Sequence, residues 1–258
     1  MSRSTPAIEL DALTKVYGSK VAVDRLSLSI EAGTLICLLG PNGAGKTTTI
    51  HTIMGLKNPT SGDVRIRGTS VRSPEIHRIR RVIGYVPEQP VLYEHLTGRE
   101  FLQFIAELYQ VDAPGLARID AHLEQLGLAG EADDLIRTYS LGMRKKLACL
   151  AALVHDPEIL VLDEPTGALD AVSARIVKEL MLEARDAGRA VLFTTHILEI
   201  AERLADRVAI IDAGTLRFEG SLEELREQVH GRPDETLEDL FIRVTGAPRA
   251  PRRNPEPV

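Results

Sequence analysis

No stretch of this sequence is long and apolar enough to cross a bilayer. The longest apolar run, Leu147 to Val154, falls far short of the roughly 20 residues that a spanning helix needs, so the chain is not expected to enter a membrane by itself. The opening Met-Ser-Arg-Ser-Thr-Pro lacks the apolar centre of a secretory leader, which points to the cytoplasm. A surplus of positive charge is also missing: 31 Lys and Arg face 37 Asp and Glu, a net charge of −6. That balance argues against a general nucleic-acid binder, whose affinity needs a broad basic face. Cysteine is scarce. Cys37 and Cys149 sit inside apolar stretches without a partner at metal-ligand spacing, and both read as small core residues.

What is present is ordinary globular material. With 258 residues, 44% hydrophobic and 26% charged, the chain can build one large α/β core. Residues Ile8 to Ile30 alternate in the β manner around Tyr17-Gly18, which predicts an antiparallel hairpin region at the N-terminus. Leu35 to Leu39 is apolar on both faces, the pattern of a strand inside a parallel sheet. A helix is expected from about Lys46 to Met54, and a strand from Asp63 to Ile66 after the turn Pro59-Thr60-Ser61-Gly62. From about Thr97 to Leu153 the spacing becomes helical, with Phe101, Leu102, Ile105 and Leu108 on one face, so residues of about 90–153 read as a helical insertion. The α/β rhythm then returns: strand Ile159 to Leu162, helix Val172 to Ala187, strand Ala190 to Thr194, and a short helix and strand ending near Gly220. The last twelve residues hold four prolines and three arginines, and 247–258 is expected to be a disordered tail.

Chemistry concentrates after the buried strand. Gly40-Pro41-Asn42-Gly43-Ala44-Gly45-Lys46-Thr47, followed by Thr48, has the complete G-x-x-x-x-G-K-[ST] spacing between a strand and a helix. Glycines let the backbone turn its N–H groups onto phosphate oxygens, and the helix N-terminus adds a favourable dipole. Lys46 then supplies charge to the β- and γ-phosphates. Thr47 offers a hydroxyl to Mg²⁺, and Asp163, at the end of an apolar strand, is its acidic partner. Glu164 follows at once and is the candidate general base or water-orienting group. His196 ends the strand beginning at Ala190, so parallel packing should bring it to the same edge, within reach of a γ-phosphate.

In this order the residues resemble the ATP-binding subunits of ABC transporters, over about Ile8 to Gly246. The likeness includes GPNGAGKTT, ILVLDEPTGALD, and Tyr139-Ser140-Leu141-Gly142-Met143 in place of the family's LSGGQ signature. The resemblance implies a P-loop NTPase core with a parallel sheet, an N-terminal antiparallel β subdomain and a helical insertion, together spanning 7–246. It implies ATP and Mg²⁺ as ligands, Tyr17 stacked on adenine, Asp170 at the dimer interface, and His196 as the switch histidine. Ser140 and Gly142 are implied to meet ATP held by the opposite subunit, which is either a second copy of the chain or a paralogous ATPase. Partners would be integral membrane permease subunits, with this chain at the cytoplasmic face of the membrane.

Two departures stand out. Glu88 occupies the place of the family's glutamine after Tyr85-Val86-Pro87, with Gln89 one position later; either side chain could reach the metal. Leu141 and Met143 replace glycine and glutamine in the signature. That variant, the basic Arg144-Lys145-Lys146 after it, and the segment Thr236 to Phe241 resemble the branch that exports drugs, antibiotics, peptides or lipids. Taken alone, Ser140 can also be a helix cap. Among rival readings, an ABC ATPase without a transporter usually carries two cassettes or a long coiled coil, and a P-loop kinase has no use for Ser140, Gly142 and His196 in this order. A module that binds without hydrolysing predicts loss of Lys46 or Glu164, and both are present.

Overall fold

The computed structural model describes residues 5–167 and 169–246; the expected tail, 247–258, lies outside the described residues. The chain begins with β1 (Ile8–Tyr17) and β2 (Lys20–Ile30), enters the core as β3 (Leu35–Leu39), and continues through α1 (Lys46–Ile53), β4 (Ser61–Ile66), β5 (Thr69–Ser70), α2 (Ile76–Arg80) and β6 (Ile83–Val86). Four helices follow, α3 (Gly98–Tyr109), α4 (Ala113–Leu116), α5 (Ile119–Gln125) and α6 (Leu141–Leu153). The last part is β7 (Ile159–Leu162), α7 (Ala171–Asp186), β8 (Ala190–Thr194), α8 (Leu198–Leu204), β9 (Arg207–Asp212), β10 (Thr215–Gly220), α9 (Leu222–Gln228) and α10 (Leu237–Thr245).

These strands form two sheets. One is antiparallel, in the order β2-β1-β4-β5; the other runs β10-β9-β3-β8-β7-β6, parallel except for the β9–β10 edge. The fold class therefore agrees with the expected α/β core and antiparallel N-terminal sheet. The strand after the glycine loop does not join the parallel sheet: β4 returns to pair with β1.

Alternation explains how the layers are held. In β3, Leu35, Cys37 and Leu39 face a core shared with helices α3, α5, α6 and α7, while Ile36 and Leu38 face a second core shared with α1 and the antiparallel sheet. The same division separates Leu160 and Leu162 from Ile159 and Val161 in β7, and Val191 and Phe193 from Ala190 and Leu192 in β8. Each central strand thus buries both faces, which is why its sequence is continuously apolar rather than alternating. Both cysteines are buried in the helix-side core.

The last strand, β10, ends at Gly220 as expected, and two further helices follow it. A capping box at Ser221 and Glu224 starts α9, and Thr236 caps α10, whose Leu237 and Leu240 enter the core. Between them the buried carboxylate of Glu235 is held by Arg243 and by the Arg232 N–H at 2.9 Å. No helix among the described residues is long and apolar enough to cross a membrane.

Phe193 is the largest side chain with no exposure, so Phe193→Ala is expected to remove about 3–5 kcal/mol of stability through lost burial and an unfilled cavity. Urea denaturation should show a lower midpoint at an unchanged slope.

Candidate functional site

The carboxyl ends of β3, β7 and β8 open into a cleft of about 510 Å³. The loop after β3 forms one wall. Gly45 there has φ 109°, and a Cβ on it would stand 2.5 Å from the Ala22 carbonyl oxygen, so only glycine lets the loop press against β2. Asn42, Gly43, Gly45, Lys46, Thr47 and Thr48 line the cleft. Gly40, Pro41 and Ala44 form the back of the loop. The Lys46 ammonium donates to the carbonyls of Gly40 at 2.6 Å and Pro41 at 3.2 Å. The Ala44 methyl is buried, its N–H donates to Pro41 and its carbonyl accepts from Gly214.

The opposite wall is acidic. Asp163 is buried, and the Thr194 hydroxyl donates to its Oδ1 at 2.6 Å. The same hydroxyl accepts the Glu164 N–H at 2.9 Å. One side chain of β8 thereby orients both carboxylate residues that end β7. Glu164 Oε2 lies 2.8 Å from Nδ1 of His196, whose ring is largely exposed. Burial pushes the Lys46 pKa down, while Glu164 and Asp163 act in the opposite sense. The ammonium is thus partly stripped of water, which strengthens its pull on an anion, while the carboxylates beside it favour a ligand that brings a cation with it.

Tyr17 and Glu88 complete the cleft, with Lys20 and Ala22 beside them. Tyr17 is 42% exposed and receives the Lys15 ammonium over its ring at 5.1 Å, leaving an aromatic surface suited to stacking. Gln89 is exposed and does not line the cleft. Ser140, Gly142 and Asp170 also stand outside its lining. Ser140 caps α6 by accepting the Met143 N–H at 3.3 Å, so the helix-cap reading of that serine holds. Asp170 caps α7, bonding Ser173 through both N–H and hydroxyl, and these bonds hold its carboxyl below its ordinary range. Of the residues expected at a second subunit or a metal, Gln89, Ser140, Gly142 and Asp170 therefore lie outside this cleft in a single copy.

Thr194 was not singled out from sequence, although a hydroxyl in an otherwise apolar buried strand signals a polar partner. Lys145 was read only as part of a basic run. Its place four residues before Cys149 puts it on an inward helical face, and it is 4% exposed.

A glycine loop between a buried parallel strand and a helix, facing an acidic strand end, defines a P-loop nucleotide hydrolase. The family described as ABC transporter matches residues 23–167. The chain is 38% identical over 226 residues to the daunorubicin resistance ATP-binding protein DrrA3 of Streptomyces coeruleorubidus, covering 87% of this chain and 71% of that one. It is 37% identical over 223 residues to the Nod factor export ATP-binding protein I of Ralstonia nicotianae, covering 86% and 69%. Among solved structures it resembles the ATP-binding subunit of an ABC transporter, at 30% identity and TM-score 0.88, covering 92% of this chain and 99% of that one. It also resembles the dimeric ATP-binding cassette MJ0796 bound to ADP and Pi after hydrolysis, at 28% identity and TM-score 0.77, covering 83% and 98%. The chain belongs to the ABC transporter family of ATP-binding proteins. It is an ATPase subunit of such a transporter, and subunits of this kind act as dimers with transmembrane permease partners.

Thr194→Val keeps the shape of the strand but removes the hydroxyl shared by Asp163 and Glu164. ATP turnover should fall about 10–100-fold, as when a group orienting a functional ligand is lost. Steady-state ATPase assays check this; undiminished turnover would show that the hydroxyl does not position the pair.

Proposed function

We propose that Glu164 acts as the general base, or water-orienting group, for ATP hydrolysis, and that hydrolysis drives export through partner membrane subunits. The observation that carries the first part is the constraint on Glu164. Its N–H is fixed by Thr194 and its Oε2 by His196, at the mouth of the cleft that holds Lys46. A carboxylate so placed can accept a proton from water attacking a γ-phosphate, while His196 fixes its direction. Tyr17 holds the base by stacking, and Gly40 to Thr48 hold the phosphates.

Thr47 and Asp163 would hold Mg²⁺, with Glu88 the nearer of the two alternative acidic or amide contacts. The donor set fits that ion. The Thr47 hydroxyl and the Asp163 carboxylate oriented by Thr194 line the same cleft, and no group of three or more His, Cys, Asp or Glu that could hold a metal occurs among the described residues. Mg²⁺ commonly takes one or two protein ligands and completes its shell with phosphate oxygens and water. When bound, it neutralises charge on the β- and γ-oxygens.

Ser140 and Gly142, at the N-terminus of α6, meet ATP held by the facing subunit, and Asp170 lies at the same interface. Free N–H groups at a helix start suit a γ-phosphate. ATP binding thus closes the dimer and hydrolysis reopens it. The second subunit is either another copy or a paralogue. Export is supported by the Met143 signature with its basic run, by Thr236 to Phe241, and by the exporter and drug-resistance relatives. On this reading the chain sits at the cytoplasmic face of the membrane, with permease subunits as partners.

Glu164→Gln should lower ATP turnover by about 10²–10⁴-fold, the usual contribution of a general base, while the variant still binds ATP and elutes as an ATP-dependent dimer. Lys46→Ala should instead weaken nucleotide binding itself. Wild-type turnover in the glutamine variant would remove Glu164 from this role. Affinity purification from solubilised membranes should bring down an integral membrane protein; recovery of ribosomal or DNA-bound partners alone would overturn the transporter assignment to this site.

A further inference from the structure

We infer that Lys145 is a positioning residue for hydrolysis, tying the signature helix to the main chain of Glu164 within one subunit. The inference rests on the reading of Glu164 as the base.

Lys145 lies one turn into α6, five residues after Ser140, yet its side chain is buried. A buried lysine is rare because its charge loses water, and its donors must then be satisfied by the protein. Here the ammonium donates to the carbonyl oxygens of Glu164 at 2.8 Å and Gly167 at 2.7 Å. Among the described residues no carboxylate lies within ion-pair distance of it. The lysine therefore serves main-chain geometry rather than a surface ion pair.

That geometry needs support. Glu164 has φ 49° although it is not glycine, and it precedes Pro165. The left-handed region is costly for such a residue, and a following proline favours extended backbone instead. Strain of this kind persists only where neighbours over-determine it. Three bonds do so: the Glu164 N–H to Thr194, the Gly167 N–H to the Glu164 carbonyl at 3.2 Å, and Lys145 to that same carbonyl. The first two come from the site itself. Lys145 alone among them comes from the helix whose N-terminus carries Ser140 and Gly142.

Gly167 sits in ordinary contact with both partners of that bond. A Cβ on Gly167 would stand 3.4 Å from the Lys145 ammonium and 3.5 Å from the Glu164 carbonyl oxygen. A shift of α6 on engaging a facing nucleotide would thus be felt at the backbone that aims Glu164. Lys145 couples the element that addresses the other subunit's ATP to the carboxylate that acts on its own.

The test is Lys145→Met in the full chain, which keeps the apolar stem and removes the ammonium. The expected result is a fall in kcat of about 10–100-fold, the usual cost of losing a group that orients another, with ATP affinity changed less than about twofold, measured by a fluorescent nucleotide. Should the methionine variant not fold, Lys145→Gln carries the same comparison. In the Glu164→Gln background, adding Lys145→Met should lower residual turnover less than about threefold, since residues acting as a unit are not additive. An unchanged kcat, a kcat loss matched by an equal loss of nucleotide affinity, or a full further loss in the Glu164→Gln background would each overturn the proposal. Wild-type turnover in Glu164→Gln alone removes the base reading, whereas wild-type turnover in Lys145→Met beside an inactive Glu164→Gln removes only the lysine's role.

Discussion

Parallel pairing sends the carboxyl ends of neighbouring strands to the same edge of a sheet, and the site follows from that constraint. In this chain Leu38 of β3 stands beside Thr194 of β8, and Leu162 of β7 beside Phe193. Past the end of each strand the apolar run gives way to the residues of the site. Gly40, Asp163 and Thr195 stand immediately past the ends of β3, β7 and β8, so the glycine loop, the acidic strand end and the approach to His196 meet without any long loop having to be ordered. The packing that secures the register is the two-sided burial of β3, β7 and β8. A one-residue slip would turn every buried side chain to the wrong core.

The edge then has to hold opposing charges close together. Lys46 loses water in the cleft near Glu164, Asp163 and Glu88, and its donors rest on the carbonyls of Gly40 and Pro41. A triphosphate offers that ammonium stronger acceptors than two neutral carbonyls do. The two carbonyls and a bound phosphate are therefore competing partners for the same donors. On the acidic side, Thr194 serves Asp163 and Glu164 at once. Its hydroxyl must donate to one and accept from the other, which fixes both.

Sequence legibility followed the physics of each feature. The strand Leu35 to Leu39 and the strand Ala190 to Thr194 were readable to the residue, because two-sided burial leaves an unbroken apolar run. The convergence of Lys46, Thr47, Asp163, Glu164 and His196 on one cleft was readable because spacing and strand position together bring them to one edge. Short elements were harder: β6 and α2 are four and five residues long, too few to show a period. Helices α9 and α10 were overlooked although Ser221 with Glu224 and Thr236 with Asp239 carry cap spacing. Glu88 and Gln89 could not be told apart from spacing, since which of two adjacent exposed residues faces a cleft depends on a loop's path. Lys145 was hidden by its neighbours, because a run of three basic residues reads as a solvated face until burial separates its middle member.

The residues assigned to the facing subunit make a different kind of case. Ser140 and Asp170 each spend their side-chain oxygen on a helix N-terminus, so in one copy they act as caps and nothing more. A cap does not exclude a second role: it fixes the first turn and leaves further N–H groups directed outward. The helix that Ser140 starts reaches back to Glu164 through Lys145, and the helix that Asp170 starts follows directly from the same loop. The Ser140 end is therefore tied through Lys145 to the main chain of Glu164 while standing outside the cleft. An arrangement in which each copy presents its caps to the other's nucleotide would make hydrolysis in one cleft sensitive to occupancy of the other, with no moving part larger than a helix turn.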